Sequence, residues 1–96
     1  MTRAEILKVA EMCICGSREQ DYGSPEDNFE TVAELWMAYL AKSFPSIYIT
    51  PKDVAAMMIL MKIARISSGN AKTDNWVDIA GYAACGGEIE ALEMEE

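Results

Sequence analysis

The sequence contains no histidine, and that absence removes more chemistry than any other feature of its composition. With histidine go the usual general base near neutral pH, the usual transition-metal ligand and the usual pH switch. Ser–His and Cys–His nucleophile pairs go with it. Cysteine is scarce: Cys13, Cys15 and Cys85 are odd in number and show no zinc spacing. Two positions apart on a helix, Cys13 and Cys15 point to different sides. No disulfide framework is visible, a reducing cytoplasm fits best, and the three thiols read as small buried apolar residues. Glycine-rich phosphate loops are missing too. Basic residues are few, 8 Lys and Arg against 16 Asp and Glu, for a net charge of −8 and a pI near 4.4. Such a field repels polymeric nucleic acid and anionic membranes. It leaves a single nucleotide open as a ligand, because one Lys or Arg, a helix N-terminus or a metal between carboxylates can hold a small anion.

Long hydrophobic runs are absent as well. The longest, Val54 to Met61, is far too short to cross a bilayer. The N-terminal run is broken by Lys8 and Glu11 in the manner of an amphipathic helix, not of a signal peptide. Strand signals reduce to Ile47-Tyr48-Ile49-Thr50, caught between Pro45 and Pro51 with no second run to pair with. An extended connector is expected there.

What is present is helical punctuation. Ninety-six residues make a single all-α domain, 1–96, with one modest core. Thr2 and Glu5 form a capping-box pattern before Ile6, Val9, Ala10 and Cys13; Gly16 and Ser17 end that helix. Ser24-Pro25-Glu26-Asp27 is a second start, with a cap, a proline at the first position and acid at the positive end of the dipole. Phe29, Val32, Ala33, Trp36 and Leu40 give its apolar stripe, and both Trp36 and Trp76 are expected in the core. Thr50-Pro51 with Asp53 is the third start. The helix it opens is apolar on every side, so it is expected to be central and surrounded by protein, another subunit included. Gly69 is placed to end it in a left-handed cap. The fourth helix begins near Thr73 or Asp74. Its Gly81, Gly86 and Gly87 would each weaken an isolated helix by about 1 kcal/mol, which close approach of a neighbour can offset. The acidic tail from Glu88 is expected to fray. The expected architecture is a four-helix bundle with short loops and a central apolar third helix.

Four groups of residues can carry chemistry. The connector from Arg18 to Phe29 holds an arginine, the Tyr22-Gly23 elbow, Asn28 and several carboxylates, far more than a turn needs. Tyr22 can stack on a base, or plug the end of the bundle. Asp74 and Asp78, four apart, share one helix face and can chelate Mg²⁺ together with phosphate oxygens; alternatively they are a first-turn acid and an ion-pair partner. Lys62, set between Met61 and Ile63, needs a partner, and Asp78 is the natural one. With Arg65 it can instead meet a phosphate. Glu26, Glu30 and Glu34 form a ladder on the second helix; Glu26, beside the elbow, weighs most as a site residue, and Glu34 reads as a solvated face.

These residues also carry a resemblance. Asp21-Tyr22-Gly23-Ser24-Pro25-Glu26-Asp27-Asn28-Phe29, Leu35-Trp36, Pro51-x-Asp53-Val54, Lys62-Ile63-Ala64-Arg65 and Asp74-Asn75-Trp76-Val77-Asp78-Ile79-Ala80-Gly81-Tyr82 resemble a family of small proteins encoded by phages and prophages. The match runs over nearly the whole chain. More distantly, the helical layout is similar to the MazG-type all-α nucleoside triphosphate pyrophosphatases, which hold Mg²⁺ with acids from two helices and assemble as dimers or more. Asp74-x-x-x-Asp78 resembles their second acidic motif. Their first has no match on the third helix, where Lys62 and Arg65 stand, and Glu26 with Glu30 is the nearest substitute. The resemblance implies a nucleotide ligand and Mg²⁺ held by Asp74, Asp78, Glu26 and Glu30, while self-association is expected through the Met-rich third helix. Asp78 and Glu26 would orient water. Arg18, Tyr22, Gly23, Asn28, Lys62 and Arg65 would contact the nucleotide. A binder that does not cleave, or an interaction module with no ligand, are the alternatives.

Overall fold

A computed structural model describes residues 1–15, 24–69 and 72–95. They form four helices: α1 (Arg3–Ile14), α2 (Pro25–Leu40), α3 (Pro51–Ser67) and α4 (Thr73–Met94). No strand occurs among the described residues. The all-α architecture read from the punctuation is the one observed.

The starts are fixed by local hydrogen bonding. The Glu5 amide donates to Thr2 Oγ1 at 3.1 Å and the Thr2 amide to Glu5 Oε1 at 3.2 Å, a complete capping box. At α2 the Asp27 amide donates to Ser24 Oγ at 3.3 Å, and Pro25 occupies the first turn. At α3 the Asp53 amide donates to Thr50 Oγ1 at 3.2 Å and the Thr50 amide to Asp53 Oδ2 at 2.9 Å. Asp53 is thus a reciprocal cap as well as a first-turn charge. Gly69 has φ +89° and ends α3 as expected. Residues 47–50 form the non-helical connector, and Ile49 is buried beside Ala33 and Val54.

α3 and α4 run antiparallel, with Lys52 opposite Glu90 and Glu93, Ala55 opposite Gly86, and Lys62 opposite Asp78. α3 is flanked by α2 and α4, but α4 is the helix that packs on all three others. Glycine allows this. A Cβ on Gly86 would come within 3.1 Å of Ala55 Cβ, and one on Gly81 within 3.2 Å of Ile14 Cγ2. At these two positions the expected close approach is present; Gly87 faces open space.

Among the described residues α3 is covered by α2 and α4, and Met57, Leu60, Met61 and Ile63 remain exposed, so the cover expected on every side is not supplied within the chain. Three expectations are corrected. Trp36 packs on the core cluster of Ala33, Ile49 and Val54, but Trp76 is 55% exposed. Cys85 is buried and Cys13 half-buried, whereas Cys15 is exposed. The acidic tail does not fray from Glu88: α4 continues to Met94, with Ile89 buried and Lys52 Nζ 3.0 Å from Glu93 and 3.7 Å from Glu90. No described helix is long and apolar enough to cross a membrane.

Candidate functional site

The densest chemistry lies where α2 and α3 meet the middle of α4. Lys62 is 8% exposed, because α3 turns it inward onto α4. Its Nζ meets Asp78 Oδ2 at 2.8 Å, while the Asp78 side chain keeps 39% of its surface open to solvent. A buried ammonium demands this partner, since desolvating an unpaired charge costs several kcal/mol. One turn along α4, the ring of Tyr82 packs against Phe29 of α2, with centroids 6.1 Å apart and planes tilted by 37°. Farther along, a hollow of about 70 Å³ opens between α1, α2 and α4, lined by Ile14, Cys15, Glu26, Cys85 and Glu88 among others. Its two carboxylates make it acidic.

The expected site residues divide as follows. Asp78 and Lys62 form the inter-helix pair read from the sequence. Glu26 is half-buried and lines the hollow. Asn28, Glu30, Arg65 and Asp74 are exposed. Arg18, Tyr22 and Gly23 lie outside the described residues. Among those described, no three Asp, Glu or Cys side chains gather into a group able to hold a metal ion, so Asp74, Asp78, Glu26 and Glu30 are not brought into one such cluster. Sequence reasoning passed over Tyr82 and Glu88 as chemistry. Tyr82 sits four residues after Asp78, one helical turn, and that spacing was its available signal. Nothing in the sequence placed Glu88 beside Glu26.

Together these features define a small all-α domain built on a glycine-bearing hub helix, with one buried ion pair across its main seam. The chain belongs to the family described as "Domain of unknown function (DUF6378)", whose model matches residues 5–90. It is 46% identical over 91 residues to the "Gene 55 protein" of Mycobacterium phage L5, covering 95% of this chain and 54% of that one. It is 44% identical over 80 residues to the "Gene 55 protein" of Mycobacterium phage D29, covering 83% of this chain and 50% of that one. These relatives are phage proteins, in keeping with the resemblance to a phage-encoded family. The chain spans about half the length of the curated relatives it matches. No solved structure matches.

Proposed function

We propose that this domain binds a nucleotide at the seam of α2, α3 and α4. The reading is carried by one observation: an almost fully buried ammonium is held by a carboxylate that stays partly open to solvent. An ion pair of that kind can exchange partners, because a phosphate arriving at the seam offers Lys62 a second anionic contact. Arg65, three residues on and exposed, adds a fork suited to phosphate oxygens. The Phe29–Tyr82 ring pair supplies an apolar wall of the sort a base or sugar packs on. Asn28, exposed on α2 next to Phe29, is a further contact in this proposal, and Arg18, Tyr22 and Gly23, outside the described residues, stay in it as ligand-binding candidates from the sequence alone.

The finer reading, a MazG-like pyrophosphohydrolase, rests on the spacing of Asp74 and Asp78. The acids of the described residues offer Mg²⁺ no complete protein cage, so no step is assigned to a protein-held metal. The second reading, a nucleotide binder that does not cleave, is favoured by the lack of a first acidic motif on α3, where Lys62 and Arg65 stand. A thermal-melting screen against nucleotides, with and without Mg²⁺, tests the proposal. A ligand at about 100 times its Kd is expected to add about 2.7 kcal/mol. Melting unmoved by every nucleotide leaves an interaction module instead. Pyrophosphate release measured on the hits then separates enzyme from binder. Asp78→Ala is expected to abolish any Mg²⁺-dependent shift; a folded variant that keeps the shift removes Asp78 from the site.

A further inference from the structure

The solvent side of α3 carries Ala56, Met57, Leu60, Met61, Ile63 and Ala64, all exposed. At 3.6 residues per turn they cover roughly 160° of the helix surface, and the one charge within that arc, Asp53 of the first turn, already accepts from the Thr50 amide. The serine hydroxyls at its far end are satisfied locally: Ser67 donates to the Ile63 carbonyl at 3.0 Å and Ser68 to the Arg65 carbonyl at 2.9 Å. Met57, Leu60, Ala64 and Ser67 follow the 3-4-3 spacing of a helix-pairing seam. Area points the same way. The chain exposes 7002 Å², whereas a compact monomer of its 10.6 kDa exposes about 5,500 Å². Its radius of gyration is 14.7 Å against about 12.5 Å for a compact domain of this length. A standard interface removes about 800 Å² from each partner, which the excess can supply.

We infer that the partner on this face is a second copy of the chain, packed as an isologous dimer with α3 antiparallel to its own image. The order of side-chain sizes selects that direction. A two-fold axis between Leu60 and Met61 sets Met57 against the partner's Ala64, large against small, on both sides of the axis. A parallel pair would set Met57 against the partner's Met57 and leave a void between two copies of Ala64. The antiparallel register also brings Asp53 of one copy within one turn of the partner's Arg65. A closed two-fold leaves no second copy of the stripe open for further growth.

Light scattering on the eluting native chain tests this. The expected mass is twice 10.6 kDa at tens of micromolar, with a melting temperature that rises with protein concentration. Leu60→Glu is expected to halve the mass while circular dichroism stays helical. Tyr39→Glu, on an exposed tyrosine of α2, is expected to leave the mass unchanged. A native chain of single mass with concentration-independent melting overturns the inference. A folded Leu60→Glu chain that is still dimeric overturns the α3 seam. If Leu60→Glu does not fold, Ala64→Glu at the other end of the stripe is read in its place, a halved mass supporting the α3 seam and a folded dimer overturning it.

Discussion

At the scale of single residues, the Lys62–Asp78 pair dominates. Its two ends are unequally buried, so its two deletions should not be equivalent. Asp78→Ala leaves an ammonium buried without its anion and is expected to cost about 3 kcal/mol, the low end for a broken buried pair because the Asp78 side is open to water. Lys62→Met puts an apolar chain of similar length into an apolar seam and leaves a carboxylate that can turn to solvent. Its expected cost is below about 1.5 kcal/mol. Urea unfolding of both variants and of the double variant checks this; equal costs would mean that Lys62 is hydrated in solution. This pair was legible in the sequence because a lysine between Met61 and Ile63 has to face a partner. The exposure of Trp76 and Cys15 was not. Periodicity identifies a stripe, but nothing within a stripe says how far the neighbouring helix reaches along it.

Elements were legible at their starts and illegible in their neighbours. Thr2, Ser24 and Thr50 each accept the amide three residues on, and such caps act within one turn, where sequence alone decides. Thr50→Ala is expected to cost about 1 kcal/mol; it removes the acceptor of the Asp53 amide but keeps the backbone amide that donates to Asp53 Oδ2, so a variant as stable as the native chain would show that Pro51 and Asp53 are enough to set this start. The hub role of α4 could not be seen, since an all-apolar α3 looks the same whether helices of its own chain or a second chain cover it. The glycines of α4 separate the possibilities. Gly87→Ala gains helix propensity in open space and is expected to stabilise by about 0.5–1 kcal/mol. Gly86→Ala meets Ala55 Cβ at 3.1 Å. That atom is fixed to backbone and cannot swing aside, so the helices must part and the change should destabilise. Chemical denaturation in which Gly86→Ala stabilised as Gly87→Ala does would mean that α3 stands farther from α4 than the 3.1 Å contact requires.

Across the whole molecule, charge works against compactness while the apolar seams work for it. Sixteen acids against eight bases leave a net negative charge that repels itself within the chain, and a second copy laid on α3 adds to that repulsion least along the mostly apolar stripe. Lys52 counters the repulsion where it is worst, at the acidic end of α4. Its hydrogen bond to Glu93 and then the charge of Glu93 hold its ammonium above the ordinary value of 10.5, against an opposing effect of desolvation and with a weaker pull from Glu90. A raised lysine binds its proton more tightly in the folded chain than in the unfolded one. Its contribution is therefore fully present below pH 10.5 and is lost as pH climbs through the raised value. Lys52→Met should lower the melting temperature slightly at pH 7 to 9, because an exposed bridge contributes little, and the gap from the native chain should close in strongly alkaline buffer. Salt should move the two proteins differently. Screening relieves the net negative repulsion of both chains, but only the native chain has a bridge to lose, so Lys52→Met should gain more from added NaCl. Melting curves across pH and salt test both halves; a gap that widened above pH 10.5 would mean that Lys52 holds α4 through its aliphatic stem and not through its charge.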